Sequence, residues 1–179
     1  MIIIRPERPE HAAGVYQVEK AAFGRPAEAD LCQRLRKRKA VTVSLVALDA
    51  DHVVGHVLFS PVRIAAEGGG AEDGGGTEDL PVVGMGPVAV NPDHQRQGIG
   101  SRLIRAGLEE VRQLGVAAVV VLGDPRYYTR FGFQPAARYG VRFQDPSVPA
   151  EDFMLIELRR GALEGHGGVA TYEPEFLEV

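Results

Sequence analysis

A single cysteine, Cys32, stands in 179 residues. That excludes an internal disulfide and a cysteine metal cluster, and fits a reducing compartment. No run of about 20 apolar residues is present to cross a bilayer, and the opening Met1-Ile2-Ile3-Ile4-Arg5-Pro6 is too short an apolar run for a secretory signal. An excess of positive charge is missing too: the formal net charge is −4 and the pI near 5.7, which argues against a general nucleic-acid binder. No Lys-Ser or Lys-Thr follows a glycine turn, so a nucleotide triphosphate loop drops out. No serine-histidine-acid arrangement is visible, and His11, His52, His56 and His166 lack metal-ligand spacing. What remains is ordinary globular composition, 45% apolar and 25% charged, long enough for one substantial core. The expectation is a cytoplasmic protein that uses neither membrane, nucleic acid nor metal. Its oligomeric state is open, a homodimer among the options.

The informative stretch runs from Val88 to Gly115. Val88, Ala89 and Val90 read as a short strand and Asn91-Pro92-Asp93 as its break. Gly98 and Gly100 free the backbone to turn its N–H groups toward one point. From Gly100 on, Ile104, Leu108, Val111 and Leu114 recur at steps of three or four, one face of an amphipathic helix that Gly115 stops. The first N–H groups of a helix lack partners and its dipole places partial positive charge there. With Arg96 and Arg102 nearby, the natural guest is a phosphate.

Around this unit, Ile2 to Arg5 reads as a strand and Pro9 to Phe23 as a helix with Ala12, Val15, Tyr16 and Val18 inward. Ala27 to Arg38 is a second helix with a basic end. Val41 to Leu48 and Val53 to Val62 read as an antiparallel hairpin. The Gly-rich segment from Ala65 to Asp79 reads as a mobile loop. Leu80 to Val90 resumes the sheet, with Pro87 suggesting a bulge because proline gives no N–H to a ladder. Gly84-Met85-Gly86-Pro87-Val88-Ala89 matches a dinucleotide-binding pattern but fails its context, since no helix follows. Val116 to Leu122 is a continuous apolar run, a buried central strand. Strand 88–90, helix 100–114 and strand 116–122 form a βαβ unit with parallel strands. A short helix from Pro125 to Arg130, a strand from Gly132 or Phe133 and a strand from Phe153 to Leu158 follow. The tail from Gly161 has no assigned role.

Gln95-Arg96-Gln97-Gly98-Ile99-Gly100 resembles the Gln/Arg-x-x-Gly-x-Gly/Ala signature of the GNAT N-acetyltransferases. The resemblance extends to Tyr128, four residues before Gly132-Phe133, as in the family's Tyr-x-x-x-Gly-Phe element. The runs Gly55 to Pro61, Asp93 to Gly100 and Gly123 to Phe133 resemble a bacterial subgroup of that family. It covers Ile2 through about Leu158, so a single domain is expected over 1–160, with 161–179 a tail packed on it or extending it.

That resemblance implies an α/β fold of mixed type: a central, mostly antiparallel twisted sheet with one parallel βαβ pair, helices on both faces, and an opening between the two central strands. It implies acetyl-CoA as co-substrate, its pyrophosphate held by the backbone of Gln95, Arg96, Gln97, Gly98, Ile99, Gly100 and Ser101. Val88, Ala89 and Val90 would supply a main-chain N–H to the thioester carbonyl, Asp124 would lie at the coenzyme site, and Tyr128 would protonate the departing thiolate. The acceptor is a primary amine, on a small molecule or on a protein or peptide. The family's usual strand glutamate is missing, since Gly84-Met85-Gly86-Pro87 has no carboxylate. Glu19, Glu28 and Asp124 stand as substitute bases, and a coenzyme A-binding module without turnover is the rival reading.

Overall fold

In the computed structural model, residues 1–67 and 80–179 are described. Most of the predicted 65–79 loop therefore lies outside the described residues. The chain divides into two compact units interleaved in sequence: Met1–Ser60 with Met85–Val111 and Glu173–Val179, and Pro61–Gly84 with Arg112–Tyr172.

The first unit is built on β1 (Ile2–Pro6), β2 (Val43–Asp49) and β3 (His52–Ala65), each antiparallel to the next, with β3 beside β4 (Val82–Val90). The β2–β3 pairing shifts register, with Ala47 opposite Gly55 and Leu48 opposite Val53, so Val54 is the extra residue of a bulge. Beyond the bulge, alternation sends successive side chains to opposite faces. Leu58 packs with Leu31, Cys32 and Leu35 of α2 (Ala27–Lys37). Gly55 and Phe59 face α3 (Ile99–Gln113) instead. A Cβ on Gly55 would lie 2.9 Å from Leu103, and one on Gly107 would strike the Phe59 ring. Helices thus cover both faces of this part of the sheet. α1 (Ala12–Phe23) joins the α2 side through Val15, buried with Val46 and Leu48. The predicted helix from Pro9 begins as a single 3-10 turn, Pro9–His11. The tail ends in another 3-10 segment, Pro174–Glu178, with Phe176 against the Leu31–Leu35 cluster and Arg38 paired to Glu173 and Glu175.

The second unit carries the parallel pair. β4 is hydrogen-bonded to β5 (Ala118–Leu122) through Val82–Ala118, Val83–Val119 and Gly84–Val120. The parallel rungs are therefore at 82–84, the start of the Leu80–Val90 strand that the sequence suggested, and not at its 88–90 end; β4 passes through Pro87. Its Gly86–Pro87 peptide is cis. The short α4 (Pro125–Tyr128), β6 (Gln134–Pro135), β7 (Val141–Phe143) and β8 (Phe153–Glu157) follow, and β8 lies antiparallel between β5 and β6. The tail supplies β9 (Gly168–Thr171), antiparallel to Arg63–Ala65 of β3 and parallel to β7. The core here is Val116 through Val121 with Phe133, Phe153, Met154 and Leu155, all nearly inaccessible. No helix among the described residues is long and apolar enough to cross a membrane.

Candidate active site

The loop that ends β4 is folded by its own polar groups. Asn91 donates its N–H to Val54 and accepts at its side-chain oxygen from the Asp93 N–H, 3.0 Å away. Gln95 closes the turn by donating Nε2 to the Val90 carbonyl at 3.1 Å. Two residues then adopt left-handed backbone, Arg96 at φ 60° and Gly98 at φ 79°. For a non-glycine residue such as Arg96 this costs about 1–2 kcal/mol, and a strained residue in an exposed loop points to a function for the turn. A Cβ at Gly98 would meet nothing within 4 Å, so it is the backbone angle, not space, that calls for glycine. Gly100 is different: it lies in the first turn of α3 and has no positive φ. Gln95, Arg96, Gln97 and Gly98 are exposed, Gly100 and Ser101 half-buried, and Ile99 is buried as the helix's first anchor. The unpaired first N–H groups of α3 thus open to solvent beside Arg96, the chemistry of an anion cradle. Arg102 does not add to it, since its guanidinium donates to the Ile2 carbonyl of β1 at 2.9 Å. Of the strand residues predicted to offer an N–H, Val88 and Val90 are half-buried and Ala89 is buried.

At the end of β5, Asp124 caps α4. Its Oδ1 accepts from the Arg126 N–H at 2.9 Å, and the Arg126 guanidinium grips both carboxylate oxygens at 2.8–3.2 Å. The Arg126 side chain is the main reason the Asp124 carboxyl is held below the usual range. Asp124 lines a cavity of about 560 Å³ with Leu122, Gly123, Arg126, Val148 and Asp152. Tyr128 lays its ring on Gly123, where any side chain would collide. Tyr127 and Phe133 meet it edge-on at 5.1 and 5.9 Å. Burial, followed by the neighbouring Tyr127, pushes the Tyr128 phenol up to about 12, so it carries its proton throughout the physiological range. Tyr127 is committed elsewhere: Arg130 stacks 4.5 Å over its ring and donates to its carbonyl.

Comparison with known proteins identifies the family. The model of the acetyltransferase (GNAT) domain matches residues 3–136. The chain belongs to the GNAT acetyltransferases. It is 37% identical over 176 residues to the uncharacterized N-acetyltransferase YhbS of Escherichia coli (strain K12), covering 98% of both chains. It is also 37% identical over 170 residues to the uncharacterized N-acetyltransferase YjhQ of the same strain, covering 92% of this chain and 88% of that one. Among solved structures, E. coli YhbS in complex with CoA superposes with a TM-score of 0.87, covering 98% of this chain and 92% of that one. A GNAT family acetyltransferase from Brucella melitensis in complex with acetyl-CoA, 36% identical, gives 0.76 with 98% of each chain covered.

For a GNAT chain without the strand glutamate, the fate of the substitute carboxylates matters. Glu28 is buried and held by Arg25, whose Nε lies 3.0 Å and Nη2 2.5 Å from Oε1. Asp124 is tied to Arg126. Glu19 of α1 is fully buried, with Oε1 2.5 Å from Nδ1 of His56, itself inaccessible on β3. His56 Nε2 lies 2.8 Å from the Ser44 hydroxyl, which donates on to Glu7 Oε2, while Arg36 pairs with Glu7 Oε1 at 2.7 Å. This network, under α1 and α2, was not foreseen from sequence. The signal was present: with Val15 and Val18 inward, Glu19 one turn after Val15 had to face inward too. Cys32 completes a group with Glu19 and His56 whose donor atoms lie within 4.8 Å of one another. Both imidazole nitrogens are at hydrogen-bond distance from oxygen, so the group forms a buried hydrogen-bonded network.

Proposed function

We propose that this GNAT chain is an acetyl-CoA-dependent N-acetyltransferase of the cytoplasm that acts on a primary amine by direct attack in a ternary complex. The observation that carries the reading is the exposed turn at Arg96 and Gly98, which opens the N-terminus of α3 to an anion. In this reading Gln95 through Ser101 hold the coenzyme pyrophosphate, and a main-chain N–H in Val88–Val90 polarises the thioester carbonyl. The neutral amine forms a bond to the carbonyl carbon as the carbon–sulfur bond breaks, Tyr128 gives its proton to the leaving thiolate, and the nitrogen releases one proton to solvent, from which the phenol is reprotonated. The CoA and acetyl-CoA bound by the two close structural relatives support this coenzyme. The acceptor, a metabolite amine or a protein or peptide amine, must arrive neutral or shed its proton to solvent, because Glu19, Glu28 and Asp124 are each engaged by a basic partner.

That same engagement favours the rival, a coenzyme-binding module without turnover. Calorimetric titration of acetyl-CoA, with Gly98→Val and Tyr128→Phe beside the wild type, separates the readings. Gly98→Val is expected to weaken binding at least about tenfold, since a β-branched residue resists φ 79°. Tyr128→Phe is expected to leave binding intact and to lower turnover, with an amine found by screening, by about 10²–10⁴-fold. Undiminished turnover in Tyr128→Phe would remove the phenol from the mechanism; no binding by the folded wild type would remove the coenzyme reading.

A further inference from the structure

Three potential ligands converge inside the first unit, one from each of three elements. Glu19 of α1, Cys32 of α2 and His56 of β3 each bring a donor atom within 4.8 Å of the other two. None of the three is more than 1% exposed. The fold builds this meeting point. Glu19 lies one helical turn after Val15, on the face of α1 that covers Val46 and Leu48. His56 stands two residues before Leu58 on the face of β3 that meets α2, and Cys32 belongs to the cluster that Leu58 joins.

An imidazole nitrogen, a thiol sulfur and a carboxylate oxygen form the donor set of a borderline-soft divalent ion such as zinc, whereas calcium and magnesium take oxygen alone. Two further observations point to an ion. Glu19 Oε1 meets Nδ1 of His56 at 2.5 Å, but Oε2 is buried with no hydrogen-bond partner among the described residues. An open buried acceptor is costly, and a carboxylate that grips an ion through both oxygens uses it. The far nitrogen of His56 is oriented as metal-binding histidines orient theirs, by a hydrogen bond that ends on a carboxylate. Nε2 lies 2.8 Å from the Ser44 hydroxyl, Ser44 donates to Glu7, and Arg36 holds Glu7 in turn.

We propose that Glu19, Cys32 and His56 form a binding site for a zinc-type divalent cation, held by Nδ1 of His56, the Cys32 thiolate and both oxygens of Glu19. The charges balance: the ion's two positive charges meet one thiolate and one carboxylate. Binding displaces the thiol proton of Cys32 and the proton between Nδ1 and Glu19, so the buried group is neutral with or without the ion. Bonds of about 2.0–2.3 Å in a tetrahedron set donors about 3.3–3.8 Å apart. Nδ1 and Oε1 must therefore part by about 1 Å and the widest pair close by about 1 Å, which side-chain rotation supplies. With every ligand inaccessible the site is structural, tying α1 and α2 to β3, and it stands independently of the coenzyme reading.

The test uses the full chain and Co²⁺ as a spectroscopic probe, added to the folded protein and, because the site is closed, also during refolding from urea. Cys32 is the sole cysteine, so any thiolate-to-cobalt charge-transfer band in the near ultraviolet belongs to it. The wild type is expected to take up about one cobalt per chain with that band, and zinc should displace it. Ser44→Ala should keep the band and bind zinc about 10–100-fold more weakly, and Cys32→Ser should lose the band and weaken zinc binding by more than that. Circular dichroism checks each variant, and Cys32→Ala replaces the serine variant if that one fails to fold. The wild-type spectrum decides without any variant: a chain that takes up no cobalt in either preparation, or takes it up without the thiolate band, overturns the inference. So does a folded Cys32→Ser or Cys32→Ala protein that binds zinc as tightly as the wild type.

Discussion

His56 shows how a residue that looks incidental in sequence becomes structural when five segments meet. Its two nitrogens face a carboxylate at 2.5 Å and a hydroxyl at 2.8 Å. The Ser44 hydroxyl gives its own hydrogen to Glu7, so Nε2 is the donor to Ser44, while Nδ1 and Glu19 share one proton across 2.5 Å, with burial raising the Glu19 carboxyl as well. With that proton on the histidine the pair is an imidazolium facing a carboxylate. Burial alone would strip that charge, but hydrogen bonds with Cys32, Glu19 and Glu7 more than reverse it and hold the His56 pKa well above its ordinary value. A buried pair of this kind is costly to break from one side, about 3–5 kcal/mol, because the remaining charge is left without compensation. His56→Ala should therefore lose about that much in urea unfolding, while the double variant Glu19→Gln/His56→Ala should lose less than the sum of its singles, by about 0.5–3 kcal/mol. Strict additivity would mean that the two side chains are not coupled.

At the scale of elements, α3 carries the anion loop and is fixed to β3 by close approaches at two glycines, Gly55 against Leu103 and Gly107 against the Phe59 ring. Gly107→Val should force the helix off the sheet at a cost of about 1–3 kcal/mol from overpacking, plus the poorer helix propensity of a β-branched residue. It should also weaken coenzyme binding, since the loop rides on the same helix. A thermal melt together with an acetyl-CoA titration checks both, and an unchanged melting temperature would mean that the packing yields. α3 was legible from sequence because a 3.6-residue period and its stop signals are local, and so were the β2–β3 hairpin, β5 and β8. The parallel rung was misplaced because the glycine turn after Val90 drew the βαβ reading to the end of the strand, whereas β4 pairs with β5 at its start, Val82–Gly84. β9 had no local signature: four residues beginning at Gly168, paired with Arg63–Ala65 more than a hundred positions away. The turn at Gln95–Gly98 was legible as glycine punctuation, yet the left-handed Arg96 and the diversion of Arg102 to Ile2 depend on tertiary partners.

For the whole molecule, the network predicts the shape of the stability curve with pH. Glu7 is pulled down to about 2 from an ordinary value of 4.5: burial works against its charge, but the hydrogen bonds from His56 and Ser44 and the attraction of His56 and Arg36 outweigh it. A carboxylate lowered on folding contributes stability that is present above about pH 4.5 and lost as pH falls toward 2. His56 has the opposite sign: raised on folding, its contribution is complete below its ordinary value of 6.5 and fades as pH rises through the folded value. The two together give a plateau between those limits in a chain whose net charge is only −4 near neutrality. Glu7→Gln should lower the melting temperature most on that plateau, and its curve should converge with the wild type as pH approaches 2, where the native carboxylate is itself becoming protonated. Melting temperatures taken from pH 2 to 7 on both proteins decide it. A gap as wide at pH 2 as at pH 6 would show that Glu7 contributes through packing and not through its charge.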